Sequence, residues 1–132
     1  MILQGRIIFA GKAEGEALVT SMGISFFGGV DPETGIIVER GHELEGQCIA
    51  GRVLAFPTGK GSTVGSYTLY RLRKNGLAPA AILNVECETI IAVGCIIAEI
   101  PCVDHIQIDQ LKTGARLHVD GEKAVVIDQP EA

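Results

Sequence analysis

Short apolar runs, separated by glycine and polar residues, dominate the chain and predict a β-rich protein. Residues 4–10 and 17–20 are predicted strands, with the stretch GKAEGE between them as a turn. Further strands are predicted at residues 24–27, 36–38, 52–56, 80–83, 103–108, 116–119 and 124–127. The Asp120–Gly121 pair is typical of a tight hairpin turn between the last two of these strands.

Two stretches have helical rather than alternating spacing. In residues 62–76 the apolar side chains recur at helical intervals, basic residues gather towards the end, and Gly76 is a stop signal. Residues 88–98 fit a buried strand as well as a helix, and we expect a short helix that begins at Glu88 or Thr89 and ends before Pro101. The predicted fold class is therefore α+β and β-rich, with one or two helices.

The composition is that of a folded protein with the size of one domain. The chain has 132 residues, of which 47% are hydrophobic and 20% are charged. Its net charge is −5 and it has no cluster of Lys and Arg, so we expect no nucleic-acid partner. Apolar runs are too short to span a bilayer, and the first residues are interrupted by charge. We therefore expect no membrane partner, no signal peptide and a cytoplasmic location.

Cysteines, histidines and central acidic residues show no metal or catalytic pattern. No CxxC pair exists and the neighbours are apolar, so we expect buried free thiols at Cys48, Cys87, Cys95 and Cys102. No histidine pair has ligand spacing, so surface or loop positions are expected for His42, His105 and His118. A solvated loop is expected for Asp31, Glu39, Glu43 and Glu45.

The stretch FPTGKGSTVGSY, residues 56–67, differs chemically from the rest of the chain. It lies between a predicted strand and a predicted helix, where unpaired backbone N–H groups and the helix dipole favour an anion. Gly59 and Gly61 permit close backbone approach to a ligand, and Lys60 adds positive charge. Ser62 and Thr63 carry hydroxyl groups that can cap the helix or contact a bound oxygen. This glycine loop is therefore predicted to hold a carboxylate or a phosphate.

Simpler interpretations of the glycine loop remain open. A linker fits the local sequence, as does a turn in which Ser62 only caps the helix. A Walker loop does not fit, because GKGST lacks the upstream glycine of GxxxxGK[ST]. The GxSxG spacing of a hydrolase elbow is also absent around Ser62.

A second loop, SFFGGVDPETG, places two phenylalanines beside two glycines. One phenylalanine is expected in the core. The glycines and Asp31 are candidates for a second active-site loop.

Residues 25–47 (SFFGGVDPETGIIVERGHELEGQ) and 53–72 (VLAFPTGKGSTVGSYTLYRL) resemble the small subunits of the aconitase X family. The resemblance extends over about residues 5–126 and is closest to the archaeal members that act on phosphomevalonate. It implies that residues 1–132 form a single swivelling β/β/α domain of the aconitase superfamily. It also implies a separate large aconitase-like subunit that carries a [4Fe–4S] cluster, with no cofactor bound by this chain alone.

The resemblance further implies a hydro-lyase that converts (R)-5-phosphomevalonate to trans-anhydromevalonate 5-phosphate in the archaeal mevalonate pathway. Ser62 matches the family's proton acceptor, and Gly59, Lys60, Gly61 and Thr63 are the neighbouring candidates for substrate binding. Ordinary aconitases follow their serine pair with an arginine, whereas Val64 stands here. Recognition of the phosphorylated substrate would then fall to Lys60, to Arg71 or Arg73, or to the large subunit.

Two other functions remain open. One is a related dehydratase that acts on a hydroxyproline, and the other is a non-catalytic partner domain that binds an anion. Loops 28–35 and 58–62 are expected to be mobile without the partner.

Overall fold

The structure, a computed structural model, describes residues 1–130 and contains within them a mixed sheet of eight strands in the order β1-β8-β7-β3-β4-β5-β6-β2. The strands are β1 (Ile2–Gln4), β2 (Arg6–Phe9), β3 (Lys12–Val19), β4 (Val53–Phe56), β5 (Ala81–Asn84), β6 (Cys102–Asp104), β7 (Arg116–Asp120) and β8 (Lys123–Asp128). The helical segments are α1 (Phe26–Gly29), α2 (Gly65–Lys74), α3 (Thr89–Ala98) and a 3-10 turn at Ile108–Gln110. The predicted α+β, β-rich class is confirmed.

Four parallel strands, β3 to β6, form the centre of the sheet. Parallel neighbours need a crossover connection, and α2 joins β4 to β5 while α3 joins β5 to β6. The two helices pack closely because Gly94 has no side chain to collide with Leu69. The carboxyl ends of the parallel strands meet at one edge of the sheet, so the loops that leave them are neighbours.

The sheet closes on itself through its first two strands. β1 pairs antiparallel with β8 at one edge, and β2 pairs antiparallel with β6 at the other. Only Gly5 separates β1 from β2, so the two edges meet and the strands form a barrel. A side chain at Gly5 would overlap the carbonyl oxygen of Asp104, which explains the glycine. Arg6 ties β2 to β6 through two hydrogen bonds of 2.9 and 2.7 Å to the Asp104 carboxylate.

The strands separate two apolar cores. Val53 and Ala55 of β4 belong to the core inside the barrel, whereas the alternate residues Leu54 and Phe56 belong to the core beneath the helices. All four are fully buried, which confirms the buried strand predicted at residues 52–56. The glycine loop therefore starts from a strand that is packed on both faces.

Five predictions from the sequence differ from the structure in type or in bounds. The stretch GKAEGE lies within β3, where Gly15 permits close approach to the backbone at Gly51 rather than a turn. Residues 24–27 lead into the short turn α1, and residues 36–38 form isolated bridges rather than a strand. The strand predicted at 103–108 ends at Asp104, because His105 has a φ of +59°. Residues 4–10 are two strands separated by Gly5.

The remaining elements are confirmed to within a residue or two, including the helix in the ambiguous stretch 88–98. Glu88 is its N-cap, and its carboxylate accepts a 2.7 Å hydrogen bond from the Ile90 N–H. The helix ends at Ala98, and Glu99 follows in the left-handed region. Gly76, with a φ of +71°, follows α2 as predicted, and a tight turn that includes Gly121 joins β7 to β8. Within residues 1–130 no helix is long and apolar enough to cross a membrane.

Candidate functional site

In the structure, the glycine loop predicted within residues 56–67 occupies residues 57–64, between the carboxyl end of β4 and the start of α2. It runs beside residues 23–25, which follow β3 along the chain. The Ile24 N–H donates to the Thr58 carbonyl at 3.3 Å, and the Lys60 N–H donates to the Ile24 carbonyl at 3.0 Å. Two loops from neighbouring parallel strands therefore build the site together, at the edge where α/β sheets commonly bind ligands.

Two glycines of the loop are required by its surroundings. Gly59 is buried, and a β-carbon there would overlap the Ile91 side chain of α3. Gly61 has a φ of +92°, and a β-carbon there would overlap the Ser25 hydroxyl group. The loop is thus pressed against α3 on one side and against Ser25 on the other.

Ser62 is exposed at the tip of this loop. Its hydroxyl oxygen accepts a 3.2 Å hydrogen bond from the Val64 N–H, and its carbonyl accepts a 2.9 Å bond from the Gly65 N–H. These bonds form a turn before α2, whose N-cap is Val64, so Ser62 caps this turn rather than the first residue of the helix.

Backbone donors are available next to Ser62. The N–H groups of Val64, Gly65 and Ser66 are already used by the turn. Within residues 1–130, the N–H groups of Gly61, Ser62 and Thr63 donate to no acceptor. Three consecutive donors on exposed residues are therefore available to a ligand, and they precede the helix instead of lying at its first turn.

Lys60 is the candidate cation on the loop itself. Its ammonium group lies 3.0 Å from a carboxylate oxygen of Glu39. Arg71 and Arg73 lie instead in the last turn of α2, and Arg71 is paired with Glu33 at 2.8 Å. Of the basic residues considered for the substrate anion, Lys60 is therefore the one that lies on the glycine loop, two positions before Ser62.

The acidic turn at residues 39–45 supports the site. Glu43 and Glu45 are exposed, as expected for a solvated loop, whereas Glu39 is half-buried. The Glu43 carboxylate accepts hydrogen bonds from the Thr20 hydroxyl and from the Ser21 N–H, the latter at 2.5 Å. These bonds hold the pKa of Glu43 below its usual value. Glu45 bonds only within its own turn.

His42 lies inside this turn and is buried, so of the two predicted positions the loop is confirmed and the surface is wrong. Its Nε2 atom lies 3.1 Å from the Gly23 carbonyl, and its Nδ1 atom accepts from the Leu44 N–H at 3.1 Å. A neutral ring with the proton on Nε2 satisfies both contacts. His105 is exposed and His118 half-buried, as expected for surface residues.

The second loop, SFFGGVDPETG, contributes through its glycines. Phe26 is buried against Phe56 while Phe27 is exposed, which confirms that one phenylalanine is in the core. Gly29 lies beside the Glu39 carboxylate, where a β-carbon would come within 3.3 Å of its oxygen. Asp31 is directed elsewhere, because its carboxylate accepts from the Glu33 N–H at 2.9 Å and closes a local turn.

The four cysteines are free thiols in different environments. Cys95 and Cys102 are buried and Cys87 is half-buried, but Cys48 is exposed, contrary to expectation. The Cys87 and Cys102 sulfur atoms lie 3.9 Å apart. The hydrogen bond with Cys102 and partial burial raise the pKa of the Cys87 thiol well above its ordinary value.

Two features at the same edge of the sheet were missed in the sequence. An apolar groove of about 270 Å³ lies between the ends of the parallel strands, lined in part by Val19, Pro57 and Val85. Beside it, possible ligand atoms of Glu86, Asp104 and His105 lie within 4.8 Å of one another. Burial alone would raise the pKa of Asp104, but the Arg6 guanidinium and the Cys87 N–H outweigh it and lower that pKa. Asp104 therefore has a structural role in closing the barrel.

Comparisons with known proteins agree with this architecture. A family model described as "Aconitase X swivel domain" matches residues 2–127. The phosphomevalonate dehydratase small subunit of Thermococcus onnurineus is 56% identical over 126 residues, which are 96% of this chain and 97% of that protein. The Methanosarcina acetivorans protein of the same name is 54% identical over 127 residues, 94% of this chain and 88% of its own length. The crystal structure of Thermococcus kodakaraensis aconitase X in its holo-form matches with a TM-score of 0.95 at 50% identity, covering 97% of this chain and 99% of that one.

Proposed function

The chain belongs to the aconitase X swivel domain family, and we propose that it is the small subunit of a hydro-lyase that dehydrates (R)-5-phosphomevalonate. The product is trans-anhydromevalonate 5-phosphate, in the archaeal mevalonate pathway. The observation that carries this proposal is the exposed Ser62 beside three unbonded N–H groups, in a chain that is 54–56% identical to two phosphomevalonate dehydratase small subunits.

Ser62 is the proposed proton acceptor. Its Oγ atom, as an alkoxide, takes the proton from the carbon next to the one that carries the leaving hydroxyl group. The electron pair of that C–H bond forms the new double bond as the hydroxyl group departs. The Val64 N–H already donates to this oxygen, and a hydrogen bond to the charged form favours the alkoxide. Lys60, on the same loop, adds a positive charge that acts in the same direction.

Substrate binding is assigned to the rest of the glycine loop. The N–H groups of Gly61, Ser62 and Thr63, together with the Lys60 ammonium, offer donors to a carboxylate or phosphate oxygen. Gly59 keeps the loop close to α3, so that these donors are held in place before the substrate arrives. The Thr63 hydroxyl is exposed and adds a further possible donor.

The enzyme requires a second chain in this proposal. A large aconitase-like subunit carries the [4Fe–4S] cluster, which supplies Lewis-acid chemistry at the leaving hydroxyl group when it is bound. Residues 1–132 act as one swivelling domain, of which 131 and 132 lie outside the described residues. The phosphorylated substrate binds between the two chains, and the complex works in the cytoplasm without nucleic-acid or membrane partners.

The test is anaerobic turnover of (R)-5-phosphomevalonate by the chain mixed with its large subunit. Ser62→Ala is expected to lower kcat by about 10³-fold or more, because it removes the proton acceptor. Ser66→Ala is the matched control, since its hydroxyl only donates to the Thr63 carbonyl at 3.1 Å. Full activity of Ser62→Ala would exclude the proposed role of this serine.

The substrate is tested with a panel in the same complex. Turnover of a hydroxyproline with none of phosphomevalonate would keep the mechanism and replace the substrate. Weaker ligand binding by Ser62→Ala, with no turnover by any cluster-loaded complex, would instead indicate a non-catalytic anion-binding domain.

A further inference from the structure

We propose that Glu39 is a positioning residue, which holds the Lys60 ammonium group beside Ser62 so that it can receive an oxygen of the anionic substrate. This inference rests on the proposed function, because it assumes that the glycine loop binds the substrate. It assigns a role to a residue of the acidic turn that lies 21 positions away from Lys60 in the sequence.

Two glycines leave space for the two side chains of the Lys60–Glu39 ion pair. The Lys60 stem runs along Gly23, where a β-carbon would lie 3.5 Å from the Lys60 Cδ atom. On the other side, Gly29 leaves room for the Glu39 carboxylate. Larger residues at either glycine would crowd one partner, so both ends of the pair lie in spaces that glycine provides.

Glu39 is the better anchored of the two partners. Its side chain is 26% exposed, whereas that of Lys60 is 48% exposed. The residue before it is fixed by a 2.9 Å hydrogen bond from the Val38 N–H to the Gly29 carbonyl. The Glu39 carbonyl in turn accepts from the His42 N–H at 3.3 Å. The carboxylate therefore sits on a backbone that is tied down on both sides, and it can orient the more mobile lysine.

A lysine ammonium group has three donors on a long, flexible side chain. One donor is directed at Glu39, at 3.0 Å, which leaves two for a ligand. Fixing the side chain before the substrate binds reduces the conformational entropy lost on binding. Glu39→Gln keeps the Lys60 charge that favours the Ser62 alkoxide and removes only the partner that orients it. Its effect should therefore appear in substrate binding rather than in the proton transfer at Ser62.

The experiment compares variants in the cluster-loaded complex with the large subunit. Glu39→Gln keeps the shape of the side chain and removes its charge, and we expect KM for (R)-5-phosphomevalonate to rise about tenfold, with kcat changed by less than about threefold. Glu33→Gln is the matched control, because it removes a similar ion pair with Arg71 at the far end of α2. It should change neither parameter. Partly exposed ion pairs contribute little to stability, so both complexes should assemble normally.

A double-mutant cycle tests whether Glu39 acts through Lys60. Lys60→Met alone should raise KM, and adding Glu39→Gln to it should have no further effect. Additive effects would overturn the proposal. So would an unchanged or lower KM in Glu39→Gln, since a lower KM would mean that Glu39 competes with the substrate for the ammonium group.

The same data separate this inference from the proposed function. If Lys60→Met leaves KM unchanged while Ser62→Ala abolishes turnover, the positioning role of Glu39 is excluded and the dehydratase assignment stands. If the wild-type complex does not turn over phosphomevalonate, KM is measured with whichever substrate the panel identifies. No turnover of any panel substrate would overturn both proposals.

Discussion

Two regions of the molecule contribute to the same site in different ways. The first is the unit that runs from β4 through the glycine loop to α2, and the second is the crossover segment at residues 20–52. The first consists of a fully buried strand, a short loop and a 10-residue helix, and it carries Ser62. The second contains only the turn α1 and isolated bridges, yet it supplies Ser25, Glu39 and His42. The proposed proton acceptor thus lies in a short loop between two regular elements, and an irregular segment packs beside that loop.

The two regions are held in place by different interactions. Packing against α3 fixes the glycine loop, most tightly at Gly59. Side chain to backbone hydrogen bonds hold the crossover segment, through His42 to Gly23 and through Glu43 to Ser21. The comparison predicts that overpacking destabilises the glycine loop, whereas loss of hydrogen bonds destabilises the crossover segment.

The largest effect is expected at the packed side of the glycine loop. Gly59→Ala would place a β-carbon against the buried Ile91 side chain, and we expect it to lower the free energy of unfolding by about 2–3 kcal/mol. Gly65→Ala, at the start of α2, is the control, because its nearest neighbour is at 3.4 Å. It should leave stability unchanged or raise it by about 0.5–1 kcal/mol. Urea unfolding measures both variants, and equal stabilities would show that the loop is not held by this contact.

A smaller effect is expected at His42, in the crossover segment. His42→Ala removes the partners of the Gly23 carbonyl and the Leu44 N–H, and should cost about 2 kcal/mol in the free energy of unfolding. In His42→Asn the side-chain oxygen can still accept from Leu44, so its loss should be intermediate. If both variants unfold like the wild type in urea, these hydrogen bonds do not hold the segment in place.

The smallest effect concerns Glu43 and depends on pH. Its pKa is lower in the folded chain than its ordinary value, so the folded state binds fewer protons than the unfolded state near pH 4. Its contribution to stability is therefore present above that range and is lost as the pH falls through the folded pKa. Glu43→Gln should destabilise the chain at pH 7, and the difference from wild type should shrink between about pH 5 and pH 3.

Urea unfolding across this pH range, with Glu45→Gln as the control, measures the effect. Glu45 accepts only from the Gly41 N–H within its own turn. If the difference in the free energy of unfolding between wild type and Glu43→Gln stays constant with pH, the lowered pKa assigned to Glu43 in the folded chain is contradicted.

The alternating and helical spacing of apolar residues predicted most of the unit from β4 to α2 and the hairpin of β7 and β8. Such spacing depends only on residues that are close together in the sequence, so it can be recognised without the fold. The predicted turn at GKAEGE was wrong because Gly15 is explained by a close backbone contact, which local sequence does not reveal. His42, Glu39 and Glu43 were taken for loop residues because their partners lie 19 to 23 positions away. Polar residues at the wall of a site have no periodic signature, so only the folded chain identifies them. The roles of Ser62 and its neighbours remain predictions.

The closure of the barrel at Gly5 has a consequence for how the chain reaches this state as it is synthesised. β1 emerges from the ribosome early, but its neighbour β8 lies at Lys123–Asp128. β2 likewise cannot pair until β6, about a hundred residues later in the sequence, has been synthesised. Contacts so distant in sequence form slowly, and the waiting strands leave their edges unpaired in the meantime. Translation through β8 must therefore precede closure, and until then the edges of β1 and β2 are open to pairing with another copy.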